Sequence, residues 1–211
     1  MTAKPLNPVD DSADRHLVEV RVSSKEILRG VFLHAFRDQV SLPDQSTAHR
    51  EYVVHPGAVM VIPMLAQADG SVRLVLERQY RYPMGQVMTE FPAGKLDPGE
   101  DPFLCAQREL KEETGYMASE WARAGVLHPV ISYSTEFIEI WFARGLTAGP
   151  RELDAGEFLD VITASTEELM HWCMTGQITD AKTLAGALWL QNTHGREASW
   201  PLVWKKSDTV P

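Results

Sequence analysis

A glycine, four glutamates and an arginine stand at fixed intervals in the stretch GKLDPGEDPFLCAQRELKEETGY, from Gly94 to Tyr116. Glu109, Glu112 and Glu113 fall at i, i+3 and i+4 of an expected helix, so at about 100° per residue their carboxylates share one face. Three like charges so placed repel one another and give an isolated helix nothing. A hard divalent cation, which prefers oxygen ligands and neutralises charge, gives such a cluster a physical reason to exist. The alternative is a solvated acidic face with Arg108 bridging to Glu112. A carboxylate-bound cation suits displacement at phosphorus, where clustered Mg²⁺ offsets diphosphate charge and stabilises both the attacking and the leaving oxygens. Glu109 and Glu113, one turn apart, are the primary candidate metal ligands, with Glu112 next. Glu100, in the preceding loop, is either an outer ligand or a structural residue.

Local signals delimit the helix that carries these groups. Asp101 suits the N-cap, Pro102 the first helical position, and Gly115 the C-terminal stop. Phe103, Ala106 and Leu110 recur at helical spacing and are expected to face the core, which turns the carboxylates elsewhere. Gly94 and the Asp97-Pro98-Gly99 turn predict a tight loop whose backbone can approach a metal or a phosphate.

Around this helix the pattern is mostly extended. Residues 1–15 are polar and proline-containing and are expected to lack order. Leu17 to Val22 and Ile27 to His34 read as two strands, loop signals follow at Leu42-Pro43-Asp44, and a further strand lies around Glu51 to Val54. Ala58 to Pro63 and Val72 to Glu77 flank Asp69-Gly70 as a hairpin. Phe137 to Ala143 alternates, and two helices near Glu167 to Thr175 and Ala181 to Asn192 close the pattern. This order predicts an α/β fold with a mixed sheet packed between helices.

Composition fits one globular enzyme-sized domain with an added subdomain: 211 residues, 44% hydrophobic and 23% charged. The formal net charge of -9 disfavours nonspecific binding to nucleic acid or to an anionic membrane, since phosphate backbones are held by clustered Lys and Arg. No apolar run is long enough to span a bilayer, and MTAKPLNPVDDSADRH has no signal-peptide core, so a cytoplasmic address is expected. Cys105 and Cys173, the two cysteines, form no CxxC, which disfavours zinc and disulfide frameworks.

The segment from Gly94 resembles the Nudix box. Gly94, Glu100, Arg108, Glu109, Leu110, Glu112, Glu113 and Gly115 fill that pattern, and Tyr116 stands where an aliphatic residue is more usual. The resemblance extends from Glu51 to about Asn192, and three flanking features are similar to the branch that hydrolyses ADP-ribose and nucleoside diphosphate sugars. The Glu90-Phe91-Pro92-Ala93-Gly94 stretch resembles its strand into the box, which implies the Ala93 carbonyl as a metal ligand. The Arg78-Gln79-Tyr80-Arg81 stretch resembles its arginine-bearing strand end, which implies Arg81, with Arg78, as substrate-binding residues. The strands before residue 55 resemble its N-terminal extension, which implies a homodimer; the alternative is that they merely extend the domain's own sheet.

The resemblance therefore implies a Nudix-type α/β/α sandwich over residues 56–197, an antiparallel β extension over 16–55, and a C-terminal tail over 198–211. It implies Mg²⁺, with Mn²⁺ possible, and an Arg108 that orients the glutamates. The general base would be a glutamate on a later loop, Glu136 within Ser132 to Glu136, with Glu139 on the following strand as its competitor. The implied activity is cleavage of ADP-ribose to AMP and ribose 5-phosphate, with GDP-mannose and then NADH as the next substrates. A proline usual about sixteen residues after the box is displaced here, where Ile131 and Ser132 stand with Pro129 upstream. From another class, a Nudix-fold sensor that binds ADP-ribose without hydrolysis remains open, although all the box glutamates are present.

Overall fold

The computed structural model describes residues 13–193 and 201–207. These divide into two compact units: residues up to Pro56 together with Val130–Glu136, and the remainder from Gly57 onward. Of the N-terminal segment expected to lack order, residues 1–12 lie outside the described residues.

The first unit is a three-stranded antiparallel sheet in the order β1 (Val20–Arg29), β2 (His34–Ser41), β3 (Thr47–Val54). The strand expected over Ile27–His34 is not one element. It joins the end of β1, a turn in which the Gly30 N–H donates to the Leu33 carbonyl at 2.8 Å, and the first residue of β2. An apolar run on both sides of Gly30 hid that turn, since its other residues carry no turn chemistry. Leu17 likewise precedes β1 and closes a short 3-10 turn, Arg15–Leu17. The expected loop after Ser41 is present, with Asp44 Oδ1 accepting from the Ser46 N–H at 2.9 Å. Residues 130–136 attach to β3, the Thr135 N–H donating to the Val53 carbonyl at 3.0 Å.

The second unit is built on an eight-stranded mixed sheet. Its strands are β4 (Ala58–Ala66), β5 (Val72–Arg81), β6 (Gln86–Glu90), β7 (Ala93–Lys95), β8 (Tyr116–Leu127), β9 (Ile138–Ala148), β10 (Leu159–Ala164) and β11 (Trp204–Lys206). The main path runs β10-β5-β4-β9-β8-β11, with β6 paired to β5 and β7 to β4. Only β4 and β9 run parallel among these pairs. Central β4 is covered on both faces, which is why Ala58 to Met64 reads as a continuous apolar run rather than an alternating one.

Alternation along β4 and β9 divides the core between two faces. Val59, Val61, Trp141 and Ala143 pack with Cys105, Ala106 and Leu110 of α1 (Pro102–Thr114). Met60, Ile62, Ile140 and Phe142 pack on the other side with Leu169 of α2 (Thr166–Met174) and Ala187 and Leu190 of α3 (Ala181–Thr193). The result is the expected α/β/α sandwich. Within the expected C-terminal tail, Trp204–Lys206 pairs with β8, and the Arg144 guanidinium lies 3.9 Å from the Trp204 ring. Residues 198–200 and 208–211 lie outside the described residues. No helix among the described residues is long and apolar enough to cross a membrane.

Candidate active site

α1 starts and stops where its sequence dictates. Asp101 accepts from the N–H groups of Phe103 (2.8 Å) and Leu104 (3.3 Å), Pro102 opens the first turn, and Gly115 ends it at φ 74°. The orientation of its acids differs from expectation. Ala106, Glu109, Leu110 and Glu113 form one i, i+3, i+4, i+7 stripe, so Glu109 and Glu113 follow the apolar residues inward and are buried. Glu112 stays partly exposed, with 26% of its side-chain surface open.

The loop before α1 closes over this stripe. A Cβ at position 94 would lie 1.8 Å from Glu109 Oε1, so any side chain there would displace the carboxylate. The Ala93 N–H, in β7, donates to Glu113 Oε2 at 3.0 Å. The β-strand pairing of Ala93 with Met60 thus sets the loop backbone against the helix.

Arg108 gathers the outer acids. Its Nε and Nη2 each donate to Glu100 at 2.9 Å, and Nη1 donates to Glu109 Oε1 at 2.8 Å and to Glu112 Oε2 at 2.9 Å. These bonds hold the Glu100 carboxyl down at about 2. Burial raises Glu109 to about 7 against the opposing pull of Arg108. Arg108 therefore positions three carboxylates, and Glu100 serves as its anchor.

Behind Glu113 lies a second polar layer that sequence reading missed. Glu77 of β5 and Glu90 of β6 are buried and stand opposite each other in the strand register. Arg81 donates to Glu90 from Nε at 2.7 Å and from Nη2 at 2.9 Å. The buried Lys182, in the first turn of α3, donates to Glu90 and also to Asp180 at 3.1 Å. Burial alone would raise Glu90, but Arg81 and Lys182 outweigh it and hold the carboxyl below its ordinary range. At Glu77 and Glu113 burial prevails instead: the charge of Glu90 adds to it at Glu77 and those of Glu77 and Glu109 at Glu113, and Lys182, Arg81 and the Ala93 N–H oppose the rise without cancelling it.

Of the expected site residues, Arg108, Glu109, Glu112, Glu113 and Ala93 are tied together around α1, and Arg81 joins the inner layer. Arg78 points from the opposite face of β5, where its guanidinium stands 4.0 Å from Asp160. Glu139, in β9, is committed to Arg123 at 2.9 Å. Glu136 belongs to the first unit, with its carboxylate 3.9 Å from His55 Nε2. Glu157, on the segment between β9 and β10, is a further acid absent from the sequence expectations; its charge acts on both Glu109 and Glu113. No local signal marks it, because the course of this segment depends on how β10 joins the sheet edge.

The donor set tests whether a cation suits this centre. Every candidate ligand is an oxygen, Glu109 and Glu113 are buried, and both Glu77 oxygens lack a hydrogen-bond partner. That chemistry fits a hard divalent cation. Among the described residues no three acidic, histidine or cysteine groups already converge as a cage. Arg108 and the Ala93 N–H hold the carboxylates instead, so a cation would compete with these donors for the same oxygens.

Comparison with known proteins shows the family and the fold. The family model described as the NUDIX domain matches residues 54–186. The ADP-ribose pyrophosphatase of Bacillus subtilis (strain 168) is 31% identical over 84% of this chain and 95% of its own length. The methanol dehydrogenase activator of Bacillus methanolicus is 36% identical over 82% of this chain and 92% of its own. A crystal structure of an ADP compounds hydrolase shares the fold, with a TM-score of 0.72 at 22% identity, covering 82% of this chain and 92% of that one.

Proposed function

The chain belongs to the Nudix family as an ADP-ribose pyrophosphatase-like hydrolase, and from that premise we propose that it cleaves the diphosphate of ADP-ribose to AMP and ribose 5-phosphate with a divalent cation. The observation that carries this reading is the burial of Glu109 and Glu113 on one helical stripe against the Gly94 backbone. Two buried carboxylates side by side are costly without a counter-charge, and a hard cation supplies it.

Glu109, Glu113 and Glu112, with the Ala93 carbonyl, would hold Mg²⁺, and Mn²⁺ suits the same oxygens. When bound, the cation offsets the charge of the diphosphate and of the oxygens that attack and leave. Arg108 keeps the carboxylates aligned before the substrate arrives. Arg81, anchored on Glu90 yet 39% exposed along its side chain, meets the anionic substrate. Arg78, the second arginine that the resemblance implies for substrate binding, projects from the other face of β5 beside Asp160. A carboxylate must also take the proton of the attacking water. Glu157 is favoured by its action on Glu109 and Glu113, and Glu136, suggested by the family resemblance, is its rival.

The reading includes a symmetric homodimer through the 16–55 extension and a cytoplasmic setting, where nucleoside diphosphate derivatives are met. Purified protein with Mg²⁺, assayed against ADP-ribose, GDP-mannose and NADH, tests the substrate. ADP-ribose should turn over fastest and yield AMP. Faster turnover of GDP-mannose would replace the substrate, whereas tight ADP-ribose binding without turnover of any compound would favour a non-hydrolysing sensor.

A further inference from the structure

Glu77 has no exposed side-chain surface, and neither of its carboxylate oxygens receives a hydrogen bond. A buried carboxylate without a donor is destabilising, and native folds retain one where something else partners it. The neighbouring cations are engaged elsewhere. Arg81 approaches Glu77 only to 4.0 Å while both of its near N–H groups face Glu90. Lys182 is divided between Glu90 and Asp180, and Arg108 among Glu100, Glu109 and Glu112.

The placement of Glu77 is set by strand alternation. Leu74 and Leu76 face the α2–α3 side of the core, so Glu77 faces α1, where Glu113 enters from the helix. The two acids stand within hydrogen-bonding reach of each other, so either a proton or a cation has to lie between their oxygens. One Glu113 oxygen is held by the Ala93 N–H, and that bond does nothing for Glu77.

We propose that Glu77 is a further carboxylate of the cation centre, supplied from β5 behind Glu113. It rests on the reading that Glu109 and Glu113 bind a divalent cation, and adds an inner oxygen donor from a different element. The competing arrangement is a proton shared between Glu77 and Glu113, which leaves cation binding to the helix residues alone.

Binding of Mn²⁺ alone, with no nucleotide present, separates these arrangements when measured by the loss of the free-ion electron paramagnetic resonance signal. Wild type, Glu77→Gln and Glu113→Gln are compared, each checked for a cooperative melt in metal-free buffer. Glu77→Gln should weaken Mn²⁺ binding by about tenfold or more, the scale of losing a group that shapes a metal site. It should melt no lower than wild type in that buffer, because the carboxyl it replaces is buried with no donor from the rest of the protein. Mn²⁺ affinity within twofold of wild type in Glu77→Gln, alongside weakened binding in Glu113→Gln, would overturn the role of Glu77 alone. Unchanged binding in Glu113→Gln would overturn the cation reading itself. Should Glu77→Gln melt below the assay temperature, Glu77→Leu, which fills the same space without a polar atom, is judged by the same two outcomes.

Discussion

The two units of this protein break opposite rules of burial. The three-stranded unit leaves Val20, Val22 and Leu28 exposed along β1, while its ion pairs, Arg50 with Glu19 and Arg37 with Glu51, lie at the surface. The sandwich unit buries Glu77, Glu90, Glu109, Glu113 and Lys182. Exposed apolar residues are ordinary when scattered, but a row on one strand marks a contact surface. Buried acids are costly until something positive meets them. The proposed function gives each departure a counterpart: a second copy of the chain for the first unit and a cation for the second.

The largest expected effect lies in the sandwich unit. Glu113→Gln should lower kcat by about 10² to 10³, the scale of losing a principal electrostatic stabiliser. The metal-free fold should persist, since the change relieves repulsion with Glu77 and Glu109. A Glu113→Gln protein with most of its activity intact would remove the reason given for burying this acid.

A second comparison sets the units directly against each other. Glu157→Gln should lower kcat by about 10² or more with little change in KM, as loss of a general base would. Glu136→Gln should do much less. Steady-state kinetics on the pair decides the matter, and the reverse ranking would move the base to the first unit.

Stability against pH gives a smaller signal. Burial raises Glu109 from 4.5 to about 7, so the folded metal-free protein holds that proton more tightly than the unfolded chain. The stabilisation is complete below about 4.5 and is lost as pH rises through about 7. In EDTA the melting temperature should fall between pH 5 and 8, and Mg²⁺ at pH 8 should restore it. In EDTA, a melting temperature that rises across this window would contradict the burial argument.

The gentlest perturbation concerns the first unit. Val20→Thr with Val22→Thr keeps β propensity but removes apolar surface, and should shift light scattering from dimer towards monomer at micromolar concentration. A full-length wild-type protein that is already monomeric would deny the extension its role.

Legibility in the sequence followed locality. The caps of α1, the hairpin around Asp69-Gly70 and the helices near 167–175 and 181–192 are written in adjacent residues, and the structure has them. β8 escaped because it begins at Tyr116, directly after the stop at Gly115, and a bulge between Arg123 and Gly125 interrupts its alternation. The inward turn of Glu109 and Glu113 was open to helical arithmetic, but grouping the acids by charge obscured the stripe they share with Ala106 and Leu110. Glu77, Glu90 and Lys182 could not be joined from sequence at all. Their meeting depends on the β5–β6 register and on where α3 begins, and both are decisions of the whole fold.

The central claim is that the buried acids of the sandwich unit exist to hold a divalent cation for cleavage of a diphosphate. The most direct test is AMP release from ADP-ribose by protein stripped with EDTA and dialysed, then supplied again with Mg²⁺. Turnover should vanish on stripping and return on addition of the ion. Undiminished AMP release from the thoroughly stripped protein would contradict the account.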